Sequence, residues 1–357
     1  MSLKITDDTI FYLLVPANVH TGGPEDLHHL GRELQILKKK VFMHYFPENI
    51  NNPVHENYKI YDIPHTKKII DNEKNVLIIG ENYNNIQISR KYKNIQKVIW
   101  WLSLDYYFIS NFNSRFPKFL RSIFKLPMNL INLFNRLSNY NFTNLSYAKY
   151  LKCIYLNYPF KNMLRLKEFK LNLSQSYYQY NVLNTKEIKS ELLFDYIRNE
   201  FFERAKDISH EDKKNIVCYN PVKSSVFMNK IIETNPDVEF IPLKNYNIDE
   251  LINILSESKI YMDFGFHPGV DHLPREAAIL KNCIITNKEG SAFYHEAVPI
   301  NENFKFEEKR ENFVIIKKKI ENIFNNFDSE IKKFDDYRTK LFNEKEIFKK
   351  QVYKIFT

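Results

Sequence analysis

The sequence predicts an α/β protein made of two doubly wound parallel β/α units, and three observations carry that expectation. A chain of 357 residues exceeds what one hydrophobic core usually serves. Short apolar runs bounded by turns alternate with segments whose apolar residues recur every three or four positions, the pattern of strand and crossover helix. The alternation also runs twice, over residues 9–104 and 171–196 and again over residues 215–286, with a basic aromatic stretch interrupting the first pass.

In the first unit, Thr9 to Val15 is a buried-strand pattern, followed by the turn Thr21-Gly22-Gly23-Pro24-Glu25. Asp26 to Lys39 then places Leu27, Leu30, Leu34 and Leu37 on one helical face. Further strands are expected at Val41 to Tyr45, Asn75 to Ile79 and Val98 to Leu104. The rhythm resumes with Leu171 to Ser174, a helix at Ser176 to Leu183, and Glu191 to Tyr196. The polar stretch Asn199 to Lys214 reads as an interdomain linker.

The second unit opens with the strand Asn215 to Tyr219 and the turn Asn220-Pro221. A helix at Ser225 to Glu233, a strand at Glu239 to Pro242 and a helix at Ile248 to Ser256 follow. Next come the strand Lys259 to Asp263, a loop holding His267-Pro268-Gly269, a helix at Pro274 to Leu280, and the strand Cys283 to Thr286. From Lys317 onward the apolar spacing is helical to the end of the chain. The expected division is residues 1–198 with a helical insertion at about 105–170, residues 199–335, and a C-terminal helix over 336–357 that packs back on the protein.

Composition narrows the classes. The formal charge of +9 favours an anionic partner, although the scarcity of glycine and the abundance of Asn, Lys and Ile also fit codon bias alone. Cys153, Cys218 and Cys283 lie far apart and form no zinc-spaced set, which fits a reduced cytoplasmic setting. No run approaches the length of a membrane span, and the first residues lack the basic region of a signal peptide. No RNA-binding module pattern accompanies the charge, so nucleic acid is not an expected partner.

Three segments carry candidate chemistry. Gly22 and Gly23 let backbone pass close to a ligand and put free N–H groups at a helix start, where a phosphate or sugar is favoured; a plain strand-to-helix turn would use the same residues. Asn220 and Lys223 stand where the first strand of the second unit ends, and a lysine there could neutralise a diphosphate leaving group. Asp263 to Glu276 is the densest segment, with His267, Gly269, Asp271, His272, Arg275 and Glu276 in one strand, loop and helix start. Such polar crowding is costly in a core and belongs beside a ligand. Glu276 could accept two hydrogen bonds from a ribose diol, and His267 or Arg275 could donate to phosphate or a sugar hydroxyl. His267, Asp271 and His272 are an alternative metal set, but their spacing matches no tight zinc pattern and no metal site is expected. Gly290 and Ser291 open a further turn whose amides could bind phosphate.

Together these residues resemble the GT-B glycosyltransferases, in particular the retaining family 4, with two Rossmann-like domains facing a cleft. The resemblance rests on Thr21-Gly22-Gly23, on Asn220 to Lys223, and on Pro274-Arg275-Glu276-Ala277-Ala278. It implies that Glu276 is the second glutamate of the donor motif and binds the nucleotide ribose. Pro268, followed by Gly269, stands where the first glutamate would be, so His267 or another group must substitute. A His-Pro pair also resembles the transferases that use CMP-activated sugars, an inverting alternative; a two-lobe sugar-nucleotide epimerase is a second. The implied activity is metal-independent, retaining sugar transfer from a nucleotide-sugar substrate to a saccharide or lipid-linked saccharide acceptor in bacterial surface polysaccharide synthesis. No cofactor is implied; His267 and Arg275 are the expected catalytic groups. Residues 108–145 hold Arg115, Lys118, Arg121, Lys125 and Arg136 among many apolar side chains and no acid. They suit peripheral contact with an anionic membrane at its cytoplasmic face, or internal packing of an insertion helix.

Overall fold

Phe11 to Val15, five consecutive apolar residues without exposed surface to speak of, form the centre of strand β1 (Ile10–Pro16). A strand apolar on both faces needs cover on both, which a parallel sheet with crossover helices supplies. In the computed structural model, which describes residues 3–137, 147–157, 166–222 and 226–357, that sheet has six parallel strands in the order β2-β1-β3-β4-β5-β6.

The elements run α1 (Gly22–Ile36), β2 (Lys40–Phe46), β3 (Val76–Gly80), α2 (Tyr83–Ser89), β4 (Gln96–Trp101), α3 (Leu104–Arg115), α4 (Lys118–Leu137), α5 (Tyr147–Asn157), β5 (Leu171–Ser174), α6 (Tyr177–Thr185) and β6 (Glu191–Leu192). Helix α1 buries Leu27, Leu30 and Leu34 on its core face and starts four residues before its expected beginning. Thr21 is its extended N-cap, and Pro24 sits in the first turn, where no backbone N–H is required. Gly22 and Gly23 are therefore helical residues, not loop residues. Strand β4 ends at Trp101, short of the expected Leu104, because the Ser103 side chain accepts the Tyr106 N–H at 3.3 Å and caps α3. Strand β6 stops at Leu192, short of the expected Tyr196. The Phe194 N–H leaves the ladder and donates instead to Gln351 Oε1 at 2.9 Å.

The second sheet has five parallel strands in the order β11-β10-β9-β7-β8. Its chain runs α7 (Asn199–Ala205), β7 (Lys214–Tyr219), α8 (Val226–Thr234), β8 (Glu239–Pro242), α9 (Ile248–Glu257), β9 (Ser258–Asp263), α10 (His272–Ile279), β10 (Cys283–Asn287), β11 (Lys305–Phe306), α11 (Asn312–Asn325), α12 (Phe327–Ile331) and α13 (Asp335–Phe356). The expected linker at Asn199 to Lys214 is instead partly the helix α7, anchored because Phe201 and Ala205 are buried in the second core. Helix α9 starts with a capping box in which Asn247 and Glu250 each accept the other's backbone N–H.

Two units result. The first comprises Met1–Lys118, Leu151–Tyr196 and Glu344–Thr357; the second comprises Phe119–Tyr150 and Ile197–Asn343. Helix α4 thus groups with the second unit from Phe119 onward, and α13 is divided between the two. Within the first unit the tail packs on the sheet: Phe356 meets Phe11 edge-on at 5.8 Å, and Phe348 stacks with Trp100 at 6.3 Å. Each unit has its own apolar core. Among the described residues, no helix is long and apolar enough to cross a membrane.

Candidate functional site

Strand β9 lies inside the second sheet, between β10 and β7, so its carboxyl end opens onto the edge where doubly wound sheets bind ligands. Three side chains organise that end. Tyr261, fully buried, donates its hydroxyl to Asp263 Oδ2 at 3.0 Å. Burial, with Asp263 beside it, holds the phenol well above its ordinary value. Thr286 pairs in register with Asp263 and donates its Oγ1 to the Asp263 carbonyl at 3.0 Å.

The loop after β9 places His267 against this framework. Its Nε2 lies 3.2 Å from Thr286 Oγ1, and its Nδ1 lies 3.2 Å from Asp271 Oδ2. The Thr286 proton is committed to the Asp263 carbonyl, so the network assigns a proton to His267 Nε2, which donates to Thr286. Nδ1 faces the Asp271 carboxylate. Asp263, His267 and Asp271 each bring one ligand-type atom within 4.8 Å of the others. Both imidazole nitrogens, however, face hydrogen-bond partners within the fold. His272, named with them from the sequence, is not a member of that trio.

A second segment clamps the same loop. The Ser291 N–H donates to the His267 carbonyl at 2.9 Å, and its hydroxyl donates to the Gly269 carbonyl. Asn287 Nδ2 donates to the Gly265 carbonyl at 2.5 Å and to Glu308 Oε1 at 2.9 Å. Gly290 has φ +54°, and a Cβ there would stand 2.0 Å from the His267 carbonyl oxygen. This glycine is required by close approach to the loop and by its left-handed backbone. The Ser291 amide that sequence reasoning offered to a phosphate is thus already donated within the protein.

Arg275 and Glu276 occupy the early turns of α10. The guanidinium is 1% exposed and donates from Nε to the Asp271 carbonyl at 3.2 Å and from Nη2 to the Val270 carbonyl at 3.0 Å. It ties the loop to the helix. Glu276 is buried nearby, 8% exposed. At the end of β7, Asn220 Oδ1 accepts the Val222 N–H at 3.0 Å and forms a side-chain turn. Lys223 lies outside the described residues.

The known relatives of this arrangement are structural. No protein-family model matches the sequence, and no curated protein matches it either. The fold is shared with solved glycosyltransferases. HepE of Anabaena, solved with UDP-glucose, superposes with a TM-score of 0.56 at 8% identity over 97% of this chain and 98% of that one. A glycosyltransferase of Rickettsia africae gives 0.52 at 12% identity over 99% and 95%. Sucrose-phosphate synthase of Thermosynechococcus elongatus gives 0.52 at 11% identity over 98% and 95%. The two-unit GT-B architecture expected from the sequence is therefore the architecture found.

Sequence reasoning singled out the Asp263 to Glu276 segment but named neither the residues that reach it from the next strand nor a buried acid in the first unit. Asn287 and Thr286 reach the loop from the next strand, and only pairing of β9 with β10 brings them there. In the first unit, Glu81 follows β3 and is buried, and it accepts the Leu102 N–H at 2.9 Å. Burial pushes its carboxyl up to about 7, against the pull of backbone donors including Leu102 and Ser103. The available signal was an acid directly after Gly80 at a strand's carboxyl end. In the same unit Gly22 and Gly23 form the first turn of α1, whose Glu25 is 5% exposed and accepts the Tyr61 hydroxyl at 3.2 Å.

Proposed function

We propose that the chain is a metal-independent glycosyltransferase that moves a sugar from a nucleotide donor to a saccharide acceptor. The observation that carries this reading is the clamped loop 264–271 leading into α10 at the carboxyl edge of a five-stranded parallel sheet, with Glu276 in the second turn of that helix, which begins at His272 and not at the expected Pro274. Such an edge is where this sheet class binds nucleotides, and HepE, which shares the fold, was solved with UDP-glucose. Glu276 is assigned to the ribose diol. Asn220, Lys223, Gly269 and the first turn of α1 at Gly22 and Gly23 are assigned to the phosphates and sugar. Gly290 and Ser291 contribute by holding the loop. His267 and Arg275 serve as positioning groups, because their polar atoms are turned into the loop they stabilise.

Charge stabilisation of the leaving group then falls to Lys223 and to backbone amides, which act without reorganising during the reaction. Retention of configuration and a role in surface polysaccharide synthesis, in the cytoplasm, complete the reading. Calorimetry with UDP-, GDP-, CMP- and dTDP-sugars tests it, and silence across all four would overturn it. A response to the CMP-sugar alone would select the inverting alternative. In a folded Glu276→Ala variant, loss of a charge-assisted hydrogen bond should weaken nucleotide binding by about 1.5 to 3 kcal/mol. Unchanged affinity would remove Glu276 from the site.

The membrane proposal for residues 108–145 rests on α4, since 138–145 lie outside the described residues. Phe119, Ile123, Leu126, Leu130, Leu133 and Phe134 recur at helical spacing, and all six are exposed. Lys118, Arg121 and Lys125 accompany them, and no acid does. A helix of this composition lies at the surface of an anionic bilayer. Co-sedimentation with phosphatidylserine vesicles should be salt-sensitive and lost in Leu126→Glu/Leu130→Glu; equal sedimentation with zwitterionic vesicles, or none, refutes it.

A further inference from the structure

Three acceptors meet where β9 gives way to the loop before α10, all within the second unit. One ligand-type atom each of Asp263, His267 and Asp271 lies within 4.8 Å of the other two. Asp263 and His267 are 2% and 3% exposed, whereas the Asp271 side chain keeps 18% of its surface open to solvent. The His267 ring is oriented by its far nitrogen. The Thr286 proton goes to the Asp263 carbonyl, so Nε2 carries the hydrogen donated to Thr286 Oγ1. In the neutral ring, Nδ1 then presents a bare lone pair 3.2 Å from Asp271 Oδ2. Two acceptors at that separation repel unless a positive charge lies between them, either a proton or a metal ion.

Further observations favour the ion. Asp271 is the N-cap of α10, yet its side chain makes no capping hydrogen bond and turns to His267 instead. An aspartate at that position is ordinarily spent on the helix's own amides. Burial and the Asp263, Asp271 and Glu276 carboxylates hold the Tyr261 phenol well above its ordinary value, so the field at the end of β9 is negative. Arg275 is close by, but its Nε and Nη2 donate to the carbonyls of Asp271 and Val270. One proton on His267 supplies half the charge that two carboxylates require, and a divalent ion supplies all of it. The surrounding hydrogen bonds are those by which metal sites fix their ligands: the Tyr261 hydroxyl donates to Asp263 Oδ2 at 3.0 Å, and His267 gives its remote N–H to Thr286. Zinc ligands about 2.0 to 2.1 Å from the metal stand roughly 3.3 Å apart in a tetrahedron, a separation that His267 and Asp271 already match. An imidazole among the donors selects a transition ion over calcium or magnesium, which take oxygen ligands.

We propose that Asp263, His267 and Asp271 bind a divalent transition ion, zinc by preference, with water entering from the Asp271 side as the fourth ligand. The ion joins strand end, loop and helix start. Its role is structural, outside the transfer step, and the inference does not rest on the glycosyl-transfer reading. The experiment strips the full chain with EDTA, dialyses it, and titrates it with zinc chloride by calorimetry and with cobalt(II) by visible absorption. One ion per chain should bind, cobalt should give the intense bands of a four- or five-coordinate site, and zinc should raise hydrogen-exchange protection across residues 264–272. Asp271→Asn and His267→Gln should each weaken zinc by at least about tenfold. Thr286→Val, which removes only the partner of the remote N–H, should weaken it about tenfold to a hundredfold. No zinc bound, pale six-coordinate cobalt, or zinc affinity undiminished in both Asp271→Asn and His267→Gln would each overturn the proposal. A His267 ring whose ¹⁵N signals show protons on both nitrogens at neutral pH with zinc present would overturn it in favour of the shared proton.

Discussion

Replacing Gly290 with alanine tests the central claim about the donor-side loop, that it is held from behind by the segment after β10. Two costs apply. Alanine at φ +54° carries the left-handed penalty of about 1 to 2 kcal/mol. Its Cβ would also stand 2.0 Å from the His267 carbonyl oxygen, a backbone atom that cannot swing away as a side-chain tip can. Relieving such an overlap costs about 1 to 3 kcal/mol more, so Gly290→Ala should destabilise the second unit by about 2 to 5 kcal/mol. Because the chain has two units, a single midpoint is a poor measure, and the readout is hydrogen exchange across residues 264–272 together with calorimetric nucleotide affinity. Protection should fall there first, through loss of the Ser291 N–H bond to His267, and affinity should fall with it. Gly23→Ala is the control for stability alone, since Gly23 is assigned to the phosphates and sugar: it is helical with ordinary φ, and its Cβ would meet only Leu102 Cδ1, at 3.4 Å. That variant should be neutral or stabilising by up to about 1 kcal/mol. Wild-type protection and affinity in Gly290→Ala would refute the clamp.

Two further predictions concern buried charge. Lys213 donates to the carbonyls of Leu255, Ser258 and Leu280 at 2.9, 2.9 and 2.5 Å, and burial still lowers it to about 7. The unfolded chain holds the extra proton between pH 7 and 10.5, so stability of the second unit should rise with pH across that window. Lys213→Met should abolish the slope and cost about 2 to 4 kcal/mol by orphaning carbonyls, read by urea titration at several pH values; an unchanged slope would place the titration elsewhere. Glu81 works in the opposite sense: raised to about 7 from 4.5, its contribution is complete below pH 4.5 and is lost as pH rises through 7. Glu81→Gln keeps the acceptor for Leu102 and should flatten the first unit's loss of stability between those values; a slope identical to wild type would refute the assignment.

How far the sequence could be read depended on whether a feature is local. Strands such as β5 and β8 were found at their observed limits because the alternation of Leu171 and Leu173 and the pair Phe240-Ile241 are local patterns. Element ends were missed where a side chain elsewhere decides them: Gln351 draws Phe194 out of the first sheet, although it lies 157 positions away in the chain. The second unit's α7 was taken for a linker because its charged surface residues mask the two, Phe201 and Ala205, that anchor it.

The same distinction separates the two halves of the proposed donor site. Glu276 and Gly269 could be named because their chemistry is written in one segment. Gly290 and Ser291 could be named too, but their partner could not, since a glycine beside a turn looks alike whether it admits a ligand or the protein's own backbone. Here it admits the His267 carbonyl. That contact moves the expected phosphate amide of Ser291 into the fold's interior network and makes rigidity of the loop, more than direct contact, the contribution of residues 287–291. On the reading proposed above, loop rigidity would matter because stabilising dipoles must already point the right way before charge develops. The loop 264–271 is held for that task from both sides, by Arg275 in α10 and by Ser291 after β10.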